Sequence, residues 1–169
     1  MVRVIGAAAI VLVLVLPVMA QEEFPRIEMA MGYANMGFPT GFNGAIERHS
    51  GFVMQTGFNF TKAFGIDNFT GFYGLGNDTT LISNIIGGKA AWRSGGKVVP
   101  YGVAGIGAGY LTQGYYSASG TLFSTRIGAG VDVPLSDVMS LKFDVSRLHF
   151  GDLGSHVNFT TGIVFTLAN

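Results

Sequence analysis

The sequence predicts an all-β protein, an eight-stranded antiparallel up-and-down transmembrane β-barrel. Three observations support this fold class. Apolar and polar residues alternate in about eight segments, and such alternation is the pattern of a strand with two different faces. Only 12% of the residues are charged, against about 25% in soluble domains. The mean hydropathy is nevertheless +0.43, although no apolar run after the N-terminal segment is long enough for a spanning helix.

The last strand, His156–Leu167, agrees with this fold class and reads HVNFTTGIVFTL. A long apolar strand at the end of a chain would promote aggregation if it remained a free edge. The first strand is the natural partner, and pairing with it closes the sheet into a barrel. One parity of this strand is mainly apolar: Val157, Phe159, Thr161, Ile163, Phe165 and Leu167.

Residues 1–20 are predicted to be a secretory signal peptide. Arg3 gives a positive start, Val4–Leu16 is apolar, and Val18–Ala20 provides a cleavage site before Gln21. The alternative is a membrane anchor, but the apolar run of about 13 residues is shorter than the ~20 that a spanning helix needs. The barrel domain is therefore expected to comprise residues 21–169.

The barrel domain has a net charge of about −1, because removal of Arg3 leaves 9 basic and 10 acidic residues. No basic cluster is present that would attract nucleic acid. The chain has no cysteine, which excludes disulfides and thiolate chemistry.

Eight strands account for the barrel domain in order. Connections after the second, fourth and sixth strands are compact, whereas Met36–His49 and Thr112–Leu122 are expected to be long exposed loops. Both termini then lie at the end with the compact turns. The predicted strands are Arg26–Asn35, Gly51–Thr61, Ile66–Leu75, Thr80–Arg93, Val98–Leu111, Phe123–Val133, Ser140–Phe150 and His156–Leu167.

Charge placement separates a membrane barrel from a secreted soluble barrel, which is apolar inside. In this chain the charged parity also carries the glycines, as a narrow lumen packed with side chains requires. We expect Asp132 opposite Lys142, with Arg126 and Asp144 nearby, in an internal ion-pair network that plugs the lumen. A water-filled lumen with unpaired charges is the alternative.

Arg147 shares the lipid-facing parity but lies near the loop end of its strand. We expect it to contact anionic lipid headgroups, since charges are tolerated near the interface. The alternative is a β-bulge that turns Arg147 inward. Aromatic residues are expected to form two girdles at the membrane boundaries, with Phe64, Trp92 and Tyr101 at one end and Tyr33, Tyr73, Tyr110 and Phe150 at the other.

The residues Thr160, Gly162, Phe165 and Leu167 follow the order polar, glycine, apolar, apolar. This pattern resembles the C-terminal assembly signal that the insertion machinery of outer-membrane barrels reads. Together with the segment PYGVAGIGAGY and the alternating strands, the chain resembles the OmpA-type small outer-membrane β-barrel family. Nothing follows Asn169, so the peptidoglycan-binding domain of some family members is not expected.

The resemblance implies the outer membrane of a Gram-negative-type bacterium. Expected partners are outer-membrane lipid or lipopolysaccharide and the barrel-assembly machinery, with no nucleic acid and a monomeric state. The expected function is a structural or interaction role with a mostly plugged lumen and exposed loops. The alternatives are a narrow, porin-like pore for small solutes and, third, a lipid-modifying enzyme of the outer membrane.

No enzyme activity, cofactor or metal is expected. The adjacent pairs His49–Ser50 and Ser155–His156 make poor dyads, because neighbours in a strand point to opposite faces. The three histidines also lack metal-ligand spacing. The segment GIGAG has no following helix, which a nucleotide-binding loop requires.

Overall fold

The structure is a computed structural model. It describes residues 24–40, 45–76, 78–93, 98–113 and 118–168. The predicted signal peptide lies outside the described residues, as do the connections 41–44 and 114–117. Among the described residues, no helix is long and apolar enough to span a bilayer.

Eight antiparallel strands form one closed barrel in sequence order, and β8 pairs with β1. The predicted fold class is confirmed. A 3-10 turn at Gly151–Leu153 connects the last two strands. The strands are β1 Ile27–Thr40, β2 Ala45–Asn59, β3 Phe64–Gly76, β4 Thr79–Ala91, β5 Val99–Gln113, β6 Ala118–Ser136, β7 Met139–Phe150 and β8 Ser155–Ala168.

Both predicted long loops are wrong in extent, because the strands continue into them. The β1–β2 register runs without interruption from the pair Ala34 and Gly51 to the pair Thr40 and Ala45. Likewise, β5 and β6 remain paired up to Gln113 and Ala118. Gly37 and Pro39 are typical of loops, but cross-strand pairing continues past them to Thr40 and Ala45, so the described parts of both segments form extended hairpins.

We call the barrel end that carries Ile27 and Ala168 the base, and the opposite end the rim. The base also carries the short turns after β2 and β6, and the rim carries the two extended hairpins. Side chains alternate strictly between lumen and exterior. On β6, for example, Arg126 is 4% exposed and Ile127 is 65% exposed.

The seam between β1 and β8 depends on two glycines that face each other. Gly32 and Gly162 are cross-strand partners. A Cβ atom at Gly162 would meet the carbonyl oxygen of Met31, and one at Gly32 would meet that of Thr161. The closing strands therefore approach more closely than side chains would allow.

The predicted aromatic girdles are wrong for three residues and stay a prediction for four. Phe64, Trp92, Tyr33 and Tyr110 are exposed on the exterior, whereas Tyr73, Tyr101 and Phe150 are buried. The last three have the lumen-facing parity of their strands. Proximity to a turn places a residue along the barrel axis, but parity decides on which side of the wall its side chain lies.

Candidate functional site

The lumen near the base contains a chain of ion pairs. Lys142 Nζ lies 3.1 Å from Asp132 Oδ1. The other oxygen of Asp132 lies 3.5 Å from Lys89 Nζ, which in turn lies 3.0 Å from Glu28 Oε2. Glu28 also pairs with Arg93 at 3.4 Å. These charges come from β1, β4, β6 and β7 and from the residues just after β4, so the network crosses the lumen.

A second ion-pair cluster lies further towards the rim and centres on Arg126. Its Nη1 donates to Asp67 Oδ2 at 2.9 Å and its Nη2 donates to Asp144 Oδ2 at 3.0 Å. The guanidinium carbon also lies 4.4 Å from the centroid of the Phe69 ring, a favourable cation–π distance. Arg126 is thus held on three sides by residues of β3 and β7.

Tyr101 connects the two clusters. Its hydroxyl donates to Asp144 Oδ2 at 3.1 Å and accepts from Lys142 Nζ at 2.9 Å. The ammonium of Lys142 also lies 4.1 Å from the centroid of the Tyr101 ring. The result is one continuous polar network, which we call the ionic layer and which contains Glu28, Asp67, Lys89, Arg93, Tyr101, Arg126, Asp132, Lys142 and Asp144.

The ionic layer has four carboxylates and four cationic side chains, so its formal charge is balanced. The charged side chains are between 0% and 10% exposed. Buried charges are tolerated when they are paired and hydrogen-bonded. The cavity beside Arg126 and Asp67 measures about 10 Å³, which corresponds to about one water molecule.

Large apolar side chains lie in the lumen near the rim. We call them the apolar layer, and they are no more than 2% exposed: Met36, Phe69, Tyr73, Leu81, Ile85, Leu148 and Phe150. Buried polar side chains lie among them: Ser83, Ser124, Ser146, His156 and Asn158. The Tyr73 hydroxyl donates to Asn158 Oδ1 at 3.2 Å, and Asn158 Nδ2 donates to Thr160 Oγ1 at 3.1 Å.

The structure brings together all four residues predicted for an internal network. Asp132 and Lys142 are direct cross-strand partners, and Arg126 and Asp144 form an ion pair. Sequence reasoning missed Glu28, Asp67, Lys89 and Arg93 as members, and it assigned Tyr101 to the exterior. Lys89 could have been found, because the apolar Ile82 and Ile86 share one parity of the fourth strand and Lys89 has the other.

The residues predicted as an assembly signal divide between the two faces of β8. Thr160 is buried in the lumen at 5% exposure, and Gly162 shares its parity. Phe165 and Leu167 face the exterior with 36% and 62% exposure. Two residues of the predicted assembly signal therefore face the lumen, and the other two face the exterior.

Arg147 lies on the exterior and is exposed. It pairs with Ile127 on β6 and Val157 on β8 in an uninterrupted register, so no bulge turns it inward. In the described part of the chain, no carboxylate pairs with its guanidinium.

One serine–histidine contact occurs on the exterior, but between residues that sequence adjacency did not suggest. His149 Nδ1 lies 3.2 Å from Ser155 Oγ across the β7–β8 pair. Among the described residues, no carboxylate orients the histidine, as a hydrolytic triad would require. The described ranges also contain no group of three His, Cys, Asp or Glu side chains placed to hold a metal ion.

Comparison with solved structures supports the fold. Ail from Yersinia pestis has 17% identity and a TM-score of 0.61, with 82% of this chain and 96% of that chain covered. Neisserial surface protein A has 11% identity and a TM-score of 0.68, with 86% and 100% covered. The N-terminal β-barrel domain of OprF from Pseudomonas aeruginosa has 15% identity and a TM-score of 0.63, with 85% and 98% covered.

A search of curated proteins finds no match to this chain. A family model described as the outer membrane protein beta-barrel domain, in contrast, matches residues 6–166. This match spans nearly the whole chain and agrees with the closed eight-stranded barrel. The chain therefore belongs to the outer membrane protein beta-barrel family.

Proposed function

We propose that this protein is a closed barrel of the bacterial outer membrane that anchors exposed hairpins as an interaction surface. The observation that supports the proposal is the set of large and charged side chains buried inside the barrel. An eight-stranded barrel is just wide enough for side chains to fill, and here an ionic layer and an apolar layer lie in series. A solute crossing the lumen would have to displace both.

The extended hairpins support the second part of the proposal, which is the interaction surface. The β1–β2 ladder continues to Thr40 and Ala45, and the β5–β6 ladder continues to Gln113 and Ala118. Paired strands hold a binding surface more rigidly than free loops do. We assign the rim to the cell exterior and the base to the periplasm, because outer-membrane barrels have short periplasmic turns.

A narrow pore is the second candidate. It is favoured by a mouth of about 450 Å³ at the base, lined by charged residues that include Glu28, Arg93 and Asp132. Ions could enter this mouth, but the layers above it would have to rearrange for conduction. A closed barrel needs no such rearrangement.

Two partners follow from the proposal. The barrel-assembly machinery would read Thr160, Gly162, Phe165 and Leu167 on β8 during insertion. Outer-leaflet lipid would contact the rim of the exterior surface, where Arg147 lies. The β1–β8 pairing closes the sheet within one chain, so no second chain is needed to complete the barrel, and the proposed state is a monomer.

Epitope insertion tests the proposed display of the hairpins. A short tag is inserted within residues 41–44 or 114–117, and a control tag is placed within 94–97, after β4 at the base. Antibody should stain intact cells that carry either rim tag, and it should reach the base tag only after permeabilisation. Staining of the base tag alone on intact cells would mean that the orientation is inverted.

A further inference from the structure

The exterior of the barrel carries a groove that the closed-barrel proposal does not use. It measures about 660 Å³ and runs over β6, β7, β8 and β1, a volume in the range of ligand sites. Bulky side chains border it and small residues form its floor. The side chains that define it are Tyr33, Ala129, Val131, Phe143, Val145 and Phe159.

Arg147 lies at the rim side of this groove. It is two residues beyond Val145 on β7, with the same outward parity, and its side chain is exposed. Its guanidinium has no anionic partner among the residues that the structure describes. An unpaired charge on a lipid-facing surface is costly unless it reaches headgroup oxygens.

Arg48 lies at the rim side of the groove on β2. Its Nη1 donates to Asn35 Oδ1 at 2.8 Å, and its guanidinium carbon lies 5.6 Å from the centroid of the Phe159 ring. Asn35 and Phe159 both line the groove. Arg48 is thus oriented by residues of the groove itself.

The two arginines lie on one row of cross-strand partners. Arg48 pairs with Gly37, Gly37 with Val157, and Val157 with Arg147. Three steps between strands separate the two backbones by about 14 Å along this row. Gly37 contributes no side chain to this row, and the Ile46 side chain covers it, since a Cβ atom at Gly37 would lie 2.8 Å from Ile46 Cγ2.

Neutral hydrogen-bonding groups complete the rim side of the groove. The hydroxyl oxygens of Tyr33 and Ser50 lie 2.7 Å apart on the exterior, and Tyr33 lines the groove below Asn35. Such groups suit sugar hydroxyls or amides rather than hydrocarbon. The surface therefore changes from apolar to polar to cationic as it approaches the rim.

We propose that this groove is a specific site for lipid A, the bisphosphorylated, multiply acylated lipid of the outer leaflet. One acyl chain lies in the groove between Phe143 and Phe159. Arg147 and Arg48 each bind one phosphate, because the guanidinium fork matches phosphate oxygens. Two separated cations favour a headgroup with two phosphates over a phospholipid with one.

The site rests on the proposed outward orientation of the rim but not on a closed lumen. Its test is therefore a binding measurement on the folded full barrel in detergent, by native mass spectrometry. The probe is hexa-acylated bisphosphoryl lipid A, compared with monophosphoryl lipid A and phosphatidylglycerol. We expect bisphosphoryl lipid A to bind most tightly, and equal binding of phosphatidylglycerol would overturn the proposal.

Charge variants test the two arginines. Arg147→Ala combined with Arg48→Ala should weaken lipid A binding by about tenfold or more, since charge-assisted hydrogen bonds are the strong ones. Lys62→Ala removes one positive charge from the turn at the base and should leave binding unchanged, and each single arginine variant should weaken it. Equal binding by the double variant and wild type would overturn the assignment.

Steric variants test the groove separately. Ala129→Phe fills the floor of the groove, and Ala104→Phe adds the same bulk to an exposed, outward position of β5 beyond the groove. Only the first should reduce lipid A binding, with both variants checked for folding by heat-modifiability on a gel. Equal effects from both would mean that the lipid binds the barrel surface without a defined site. Conductance of the same samples reports on the lumen independently.

Discussion

Lys142 and Asp132 face each other across the β6–β7 hairpin, with Nζ 3.1 Å from Oδ1. Both side chains point into the lumen and are no more than 7% exposed. The same aspartate also binds Lys89, which lies two strands away on β4. One hairpin pair is thereby connected to an ionic layer that crosses the lumen.

The ionic layer predicts a large effect for truncation of its central cation. Arg126→Met should lower the free energy of unfolding by about 3–5 kcal/mol, because two buried carboxylates lose their partner. Urea unfolding in lipid vesicles measures the change. Arg147→Met is the matched control, and in vesicles without lipid A it should change stability by about 0.5 kcal/mol or less.

A triple variant separates charge from packing at this site. Arg126→Met combined with Asp67→Leu and Asp144→Leu removes the whole cluster and should recover most of the lost stability, because apolar replacements of buried ion pairs are often neutral. If the triple variant is as unstable as Arg126→Met, the loss comes from packing and the charge explanation is wrong.

The close approach of β1 and β8 predicts a steric effect at the seam. Gly162→Ala should cost about 1–3 kcal/mol, as overpacking typically does, because the new methyl group meets the backbone of β1. Gly88→Ala is the control, since no atom lies within 4 Å of a Cβ at that position. Equal stabilities of the two variants in urea would contradict the proposed tight seam.

The position of Trp92 predicts where the membrane–water boundary crosses the barrel near its base. It is the only tryptophan and is 71% exposed on the exterior, as expected of a girdle residue. Brominated lipids should quench its fluorescence most strongly when the bromine lies near the headgroups. Ile86→Trp in a Trp92→Phe background is the comparison and should be quenched best by bromine near the bilayer centre. If Trp92 were instead quenched most strongly by bromine near the bilayer centre, it would not be a girdle residue.

Local geometry explains which parts of the lumen could be predicted from sequence. Asp132 and Lys142 belong to one hairpin, so a short turn and strict alternation suffice to place them together. Asp67 and Arg126 are 59 residues apart, and only closure of the barrel brings β3 and β6 to opposite sides of one narrow lumen. No pairing rule within a hairpin predicts such a contact.

The many glycines explain why the inward and outward faces of some strands could not be predicted from the sequence. In β5, small residues occupy both faces, so alternation alone does not show which side Tyr101 takes, and its assignment to a girdle is wrong. The register places it in the lumen between two lysines. The extent of the first hairpin is longer than predicted for a related reason, since Gly37 and Pro39 resemble a loop although the ladder continues past them to the pair Thr40 and Ala45.

The central claim is that side chains close the lumen, and single-channel recording in planar bilayers tests it most directly. Wild-type protein should give no stepwise conductance. A quadruple variant opens both layers by combining Phe69→Ala, Tyr73→Ala, Arg126→Ala and Lys142→Ala. If heat-modifiability on a gel shows that this variant is folded, it should give discrete conductance steps. Phe143→Ala with Phe159→Ala alters only the exterior and should remain silent. A large, stable open pore in the wild-type protein would contradict the account.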